Sequence, residues 1–426
     1  MWGGFIKLCI GVLVSFYFFP VEFVFLPGQN TKKLLAVIGL VFLGYNYIKN
    51  RSQLLTKDFL TVSAYAALVS IVGLFSITFN NTPDMTYASY IMSMWVWLGG
   101  AYAVVSIMRF YHKTVTFELV CYYLMGVCVA QCIIALVIDM SPVIKSYVDR
   151  FFVTTLMDDV KRRLYGIGCA LDVAGTRFSA VLIMISSLLA IRGRKMQRTR
   201  LLVCVLCFLV ISVLGNMIAR TTIIGVFISL LLIFIKSLSS EIGGQRQRVI
   251  RWVTLTVLLL LPVVIYYYDS NPQMRENLRF AFEGFFSLAE KGEWDVHSNN
   301  RLMDMIVFPE TLKTWVIGDG YFEGPTNIDP YYVGPSMTGF YMWTDIGYLR
   351  FIFYFGVIGL VTFMLFFLKS TQLCVANFRN YSTCFWLLLI LNFIIWFKVA
   401  TDIFVVFALF LCFSPDDMED ASVIEG

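Results

Sequence analysis

Charged side chains are scarce in this sequence. Only 14% of its 426 residues are Asp, Glu, Lys or Arg and 59% are hydrophobic, whereas soluble domains carry about 25% charged residues. A single aqueous core cannot hide so much apolar surface, so lipid must be the solvent for much of the chain. The net charge of +5 is small and unevenly placed along the chain. It therefore argues against nucleic acid as a partner and for membrane-topology signals.

Histidines are also few, and the cysteines follow no metal-binding or disulfide pattern. The two histidines, His112 and His297, argue against a histidine-based metal site. Of the ten cysteines, eight lie in apolar runs, Cys374 lies in a basic loop, and Cys169 alone falls in an expected outer loop. This distribution gives neither a disulfide framework nor a zinc spacing. We find no nucleotide motif, internal repeat or cleavable signal peptide, and we expect no metal and no cofactor.

Long apolar runs fill most of the chain instead. A membrane-spanning helix needs about 20 largely apolar residues. On this basis the sequence predicts one all-α domain over 1–426, a polytopic transmembrane bundle of about twelve spans, with Pro20 as a candidate break in the first. The expected spans are 4–25, 33–48, 58–79, 87–108, 116–138, 176–191, 201–217, 221–236, 252–268, 346–368, 383–398 and 401–413.

The distribution of lysine and arginine predicts the orientation. Basic residues mark the cytoplasmic loops of membrane proteins, and here they cluster in every second loop. The prediction is a multi-pass protein with both termini in the cytoplasm, and we take the membrane to be a bacterial plasma membrane. The clusters are Lys49, Arg51 and Lys57; Arg109 and Lys113; Arg192, Arg194, Lys195, Arg198 and Arg200; Arg246, Arg248 and Arg251; and Lys369 with Arg379.

Two of the opposite, extracytoplasmic loops are long, at about 139–175 and 269–345. The second begins with an amphipathic stretch in which Met274, Leu278, Phe282 and Phe285 share one helical face. We expect this stretch to form a helix lying on the membrane or on the bundle. The end of the loop, 318–339, is rich in Gly, Pro and Tyr and is typical of an irregular, lid-like segment.

Fixed charge at the outer edge of the bundle is the main pointer to a site. Arg220 lies in a tight turn between two apolar spans. Its guanidinium is suited to bind phosphate through two parallel hydrogen bonds, and it keeps its charge. Alternatively, Arg220 is an interfacial arginine that reaches lipid headgroups.

Two further arginines lie near the start of the sixth span. Arg163 is followed by Gly166 and Gly168, which would let the backbone approach a polyphosphate closely. Arg177 lies near the expected start of the span. An ordinary surface loop and a headgroup-seeking arginine are the plainer interpretations.

The large loop supplies more candidates. Arg301 begins a short helical pattern that runs into Gly318 and Gly320, and an exposed arginine on a loop helix is the simpler interpretation. His297 is either an exposed loop residue or a substrate contact.

Asp345 lies where the large loop enters the tenth span. A carboxylate at this depth is placed to take a proton from a hydroxyl. Equally, Asp ahead of a helix is a common N-cap.

Taken in order, these elements resemble the bacterial O-antigen polymerase and O-antigen ligase superfamily, polytopic class-C glycosyltransferases, over about 160–360. Arg163-Leu164-Tyr165-Gly166 is similar to the family's Arg-x-x-Gly element, and Arg220-Thr221 to its Arg-Thr pair. Arg301 followed by Gly318-x-Gly320 is similar to the arginine-to-glycine segment of the large loop. Asp345-Ile346, followed after nine residues by Gly356-x-x-Gly359, is similar to the ligases' His-Asn element. Asp and Ile in place of His and Asn favour a polymerase, since polymerases vary there.

The resemblance implies a reaction. A growing chain on one polyprenyl pyrophosphate carrier is transferred to a new repeat unit on another, at the outer leaflet, without nucleotide or metal. Arg163, Arg220 and Arg301 would bind the pyrophosphate, and Asp345 would be the general base. The substrate site would also be lined by Arg177, Gly166, Gly318, Gly320 and His297. Loop aromatics with polar tips would stack on sugars, namely Tyr321, Tyr331, Tyr332, Trp343 and Tyr348. A chain-length regulator and a flippase of the same pathway are the implied protein partners.

Three further functions stay open. A ligase would move finished polymer to a lipid or protein acceptor. A transporter or lipid-linked sugar flippase would more often show repeat symmetry and charges at mid-span. A membrane anchor whose large loop binds a partner would leave Arg220 and Arg163 without a role.

Overall fold

The computed structural model describes residues 2–49, 57–153, 164–193, 196–238, 262 and 265–413. Over these residues the regular elements are helices, and four isolated β-bridges are the only strand-like pairings. The predicted all-α class is confirmed. Most of the predicted span 252–268 lies outside the described residues, and so does Arg163.

The long helices follow the predicted apolar runs. The helices of the first two thirds of the chain are α1 (Trp2–Phe18), α2 (Thr31–Lys49), α3 (Lys57–Asn80), α4 (Tyr90–His112), α5 (Phe117–Met140), α6 (Pro142–Phe151), α7 (Leu171–Arg192), α8 (Arg198–Ile218) and α9 (Thr222–Leu238). After the large loop come α15 (Gly347–Asn377), α16 (Ser382–Ile395) and α17 (Phe404–Leu411).

Six of these helices are long and apolar enough to cross a membrane, which indicates a multi-pass membrane protein; they are α3, α4, α5, α7, α8 and α15. Helices α1, α9 and α16 are apolar but shorter. The first helix ends at Phe18, two residues before Pro20, as the candidate break predicted. The count of twelve spans remains a prediction.

Two boundaries differ from the prediction around the first long loop. Helix α6 lies inside 139–175, and α7 begins at Leu171 rather than at 176. The charged residue Asp172 lies in the first turn of α7, ahead of the apolar run, so the pattern placed the start of the helix too late. Thr176 and Arg177 are buried among neighbouring helices.

The segment 269–345 contains five short α-helices, namely α10 (Pro272–Ala281), α11 (Glu283–Lys291), α12 (His297–Asp304), α13 (Leu312–Val316) and α14 (Pro325–Ile328). The amphipathic face of α10 packs on the bundle, where Leu278 is buried in the main core. Nδ2 of Asn216, on α8, donates a hydrogen bond of 2.7 Å to the carbonyl of Ala281. Of the predicted face, Phe285 alone is exposed, at 48%.

Small residues let the helices approach closely. A Cβ at Gly39 in α2 would lie 1.8 Å from the carbonyl oxygen of Gly99 in α4. A Cβ at Gly225 in α9 would lie 2.3 Å from the Cα of Ser179 in α7. Ser179 also donates a 3.0 Å hydrogen bond to the carbonyl of Thr221. Such contacts replace the hydrophobic effect, which cannot hold helices together in lipid.

Candidate functional site

The turn between α8 and α9 presents Arg220 to the large loop. Its Nε donates to the carbonyl of Phe280 at 2.9 Å, and Nη1 donates to Oγ of Ser298 at 2.9 Å. Nη1 also lies 2.6 Å from Oε2 of Glu283, and the guanidinium stacks 3.9 Å above the Phe280 ring. These contacts within the protein show that Arg220 does more than reach for lipid headgroups.

The residue after Arg220 extends the site. Oγ1 of Thr221 donates a 2.9 Å hydrogen bond to Oδ1 of Asp172 in the first turn of α7. The same carboxylate oxygen lies 2.7 Å from Nζ of Lys398, which follows α16. The Arg-Thr pair therefore joins α9, α7 and the end of α16 at one place. Asp172 and Lys398 were not among the residues predicted from the sequence. In each case the available signal was a charge at the edge of an apolar run.

A small recess forms where these elements meet. Its volume is about 20 Å³, which is room for about one water molecule. It is lined by Leu171, Asp172, Ala219, Arg220, Phe280, Ser298 and Lys398. Arg220 also borders a larger cavity of about 520 Å³, which is lined mainly by residues of α10 and α11. This cavity contains three further cations, Arg275, Arg279 and Lys291, and four carboxylates.

The carboxyl of Asp345 interacts electrostatically with Asp172 and Lys398. Helix α15 begins at Gly347 with Ile346 as its N-cap residue and no side-chain cap, so the N-cap interpretation of Asp345 is wrong. Burial raises the pKa of the Asp345 carboxyl from 3.8 to about 6. The nearby positive charges of Arg350, Lys398 and Arg301 oppose this rise in pKa, while the Asp172 carboxylate adds to it. Asp345 thus belongs to one electrostatic cluster with Asp172, Lys398 and Arg301.

Arg350 is a buried cation that the sequence analysis did not single out. Its side chain is 6% exposed, and its guanidinium lies between the rings of Phe322 and Phe340, at 3.6 and 3.9 Å. Nη2 donates to Oε1 of Glu323 at 2.9 Å, and Nη1 lies 3.8 Å from Oδ1 of Asp345. Arg350 therefore ties the end of the large loop to α15 next to the candidate base. Arg350 was not predicted because it stands within a long apolar run.

The remaining predicted residues of the large loop fall into two groups. His297 and Arg301 are exposed on α12, whose residue Ser298 contacts Arg220, so they lie near the cluster. Trp343 is 56% exposed with a φ of +57°. Tyr348 is half-buried in α15, and its hydroxyl donates to the carbonyl of Phe393 at 2.9 Å.

Gly318 and Gly320 lie instead against the first third of α15. The amides of Asp319 and Gly320 donate to the carbonyls of Phe353 and Tyr354 at 2.6 and 3.1 Å. Helix α15 is interrupted there, at Phe355 and Gly356. A Cβ at Gly318, whose φ is +85°, would lie 2.6 Å from the Tyr354 backbone. This packing explains both glycines without a substrate, and their binding role remains a prediction.

The predicted residues around the sixth span, Gly166 and Arg177, make their contacts elsewhere in the helix bundle. Gly166 packs against Gln131, whose Oε1 also accepts a hydrogen bond of 3.1 Å from the amide of Ile167. Arg177 is only 6% exposed, so the headgroup-seeking interpretation of this residue is wrong. Its Nε has no hydrogen-bond partner.

The cluster offers cations, hydroxyl groups and the three carboxylates of Asp172, Glu283 and Asp345 close together. This combination suits acid–base chemistry on an anionic substrate. Within the described residues, no group of three or more His, Cys, Asp or Glu side chains is arranged to hold a metal ion. No family model, curated protein or solved structure matches this chain.

Proposed function

We propose that this protein is a glycosyltransferase that polymerises polyprenyl-pyrophosphate-linked oligosaccharide repeat units at the outer face of a bacterial plasma membrane. The observation that supports it best is the environment of Asp345. This carboxyl has a pKa raised to about 6 and no capping role, and it lies among Lys398, Arg301 and Arg350. The resemblance of the sequence to O-antigen polymerases adds the reaction type.

In the proposed reaction the hydroxyl at the non-reducing end of one repeat unit attacks the anomeric carbon of the growing chain. Asp345 accepts the hydroxyl proton, and the bond from the anomeric carbon to the pyrophosphate oxygen breaks. A positioned base typically contributes about 10²–10⁴-fold. A base with a pKa near 6 is ionised at neutral pH, yet it is a better proton acceptor than an ordinary aspartate.

The leaving pyrophosphate gains negative charge as the bond breaks. Arg220 is our main candidate to stabilise it, with Arg301 and Lys398 close by. Glu283 holds a carboxylate oxygen 2.6 Å from Nη1 of Arg220, where a phosphate oxygen would bind. We infer that the phosphate displaces Glu283, and that α10 to α12 move aside as the substrate enters.

Genetic tests separate this function from its neighbours. Arg220→Ala should abolish long-chain polysaccharide at a normal protein level, and normal chain length would contradict the phosphate role. Deletion should leave single repeat units on the final acceptor. Long carrier-linked chains that are never transferred would instead identify a ligase, the second candidate.

A transporter, a flippase and a passive anchor have less support. A transporter or flippase would place its charges near the membrane midplane, whereas Arg220, Asp172 and Asp345 all lie at or just before helix starts. A passive anchor would not require a cluster of partly buried charges. Whether the product is O-antigen, capsule or exopolysaccharide depends on sugars that other enzymes supply.

A further inference from the structure

A second group of cations lies apart from the Arg220 cluster. Arg177 is in α7, five residues or about 7.5 Å beyond Asp172, and on a different side of the helix. Its guanidinium lies 5.6 Å from the Trp97 ring of α4, and Nζ of Lys32, at the start of α2, lies 4.0 Å from the same ring. The cations of Lys32 and Arg177 thus lie close to the same Trp97 ring, although like charges repel each other.

The protein does not neutralise these two charges by direct contact. Among the described residues, neither Lys32 nor Arg177 has a carboxylate oxygen within 4.0 Å. Nε of Arg177 is buried and lacks a hydrogen-bond partner. The rings of Phe18 and Phe19 lie 5.9 and 5.7 Å from the guanidinium, so they give only weak cation–π contacts. A buried cation left in this state is costly unless an anion joins it.

Asp402, in the segment between α16 and α17, is the acidic residue that interacts electrostatically with both Lys32 and Arg177. One of its oxygens, Oδ1, accepts a hydrogen bond of 2.9 Å from the amide of Phe404 at the start of α17. One carboxylate against two cations leaves a net positive charge. The group therefore suits an anion with several acceptor oxygens, since each cation carries several donors.

We propose that Lys32, Arg177 and Trp97 form a second binding site for a phosphate or pyrophosphate group carried on a lipid. The choice of polyprenyl pyrophosphate as that lipid rests on the proposed function. Polymerisation brings together two carriers, the donor of the growing chain and the acceptor repeat unit, so it needs two pyrophosphate sites. The Arg220 cluster holds one carrier, and the Lys32–Arg177 site holds the other.

The test counts lipids bound to the purified full-length protein by native mass spectrometry. Polyprenyl pyrophosphate without sugar is the probe, so that turnover is not required. Wild type should bind two equivalents, whereas Lys32→Gln and Arg177→Gln should each bind one, as should Arg220→Gln. Lys33→Gln is the matched control, because Lys33 is the exposed neighbour whose Nζ donates to the carbonyl of Gly28, and it should bind two.

Different failures have different meanings. Two equivalents bound by both Lys32→Gln and Arg177→Gln, with unchanged affinity, would overturn the site; Lys32 is only half-buried, so its variant gives an answer even if Arg177→Gln does not fold. If phosphatidylglycerol or inorganic pyrophosphate at equal concentration removes the second equivalent, the assignment to a polyprenyl carrier is overturned. Loss of one equivalent in a chain that lacks polymerase activity would contradict the proposed function and support the site.

Discussion

The carboxyl of Asp345 is partly buried, and nearby cations act against the effect of that burial on its pKa. Because burial dominates, the pKa is raised to about 6 and the neutral form persists to higher pH than in an ordinary aspartate. As a general base, Asp345 must be ionised. The rate of polymerisation should therefore fall as the pH falls through about 6 and level off above about 7.

Initial rates with purified enzyme between about pH 5 and pH 8 would check this profile. The acidic limb should report a single group near pH 6. A rate that stays constant down to about pH 5 would contradict the role of Asp345 as the base.

Glu283 is the residue that separates a binding role of Arg220 from a purely structural one. If its carboxylate competes with phosphate, Glu283→Gln should lower KM several-fold and leave kcat nearly unchanged. Steady-state kinetics on a repeat-unit substrate measure both constants. Glu290→Gln is the control, since Glu290 pairs with Arg279 at 2.7 Å in an exposed position, where solvent screens the charges and the pair contributes little. A loss of activity as severe as that of Arg220→Ala would mean that Glu283 only latches the loop.

At the scale of elements, the segment 312–320 packs against the break in α15 at Phe355 and Gly356. Gly356 has a φ of +67°, and a Cβ there would lie 2.0 Å from the carbonyl oxygen of Val316. Gly356→Ala should destabilise the protein, by on the order of 1–3 kcal/mol from the backbone conformation alone, with the overlap adding to it. The midpoint of thermal unfolding in detergent would measure the loss.

Gly126 provides the matched control for that change. It lies within α5, and a Cβ there meets nothing within 4 Å. Gly126→Ala should raise the unfolding midpoint slightly, because alanine is favoured in a helix interior. An unchanged midpoint for Gly356→Ala would show that the loop is not held by this contact.

Apolar runs predicted the helices well, because the cost of placing backbone in lipid sets both their length and their composition. The amphipathic face of α10 was predicted for a similar reason. Polar residues buried by tertiary contacts were harder. Asp172 delayed the predicted start of α7, and Arg350 was overlooked, because a sequence does not reveal which helix covers a charge.

The candidate site was predicted only in part. Arg220 and Asp345 were found by their positions at helix edges, and the electrostatic cluster links them through Asp172 and Lys398. The glycines 318 and 320 were assigned to substrate binding from resemblance alone. Their contacts with α15 depend on a break in that helix, for which the apolar pattern has no signal.

At the scale of the whole molecule, the predicted orientation puts 269–345 outside the cell. Tyr331 is 90% exposed in this segment, so Tyr331→Cys should react with a membrane-impermeant maleimide in intact cells. Lys113→Cys, which follows α4, should react only after the membrane is opened. Gel-shift labelling would read out both variants, and the reverse pattern would overturn the topology on which the positive-inside argument rests.

The central claim is that Asp345 is the base of a polysaccharide polymerase, and reconstitution tests it most directly. Purified protein in liposomes is given a polyprenyl-pyrophosphate-linked repeat unit, and the products are separated by length. The wild type should produce a ladder of polymers, and Asp345→Asn should reduce their rate of formation by about 10²–10⁴-fold without lowering stability, since the substitution removes an ionisation that burial disfavours. A ladder formed by Asp345→Asn at more than about a tenth of the wild-type rate would contradict the claim.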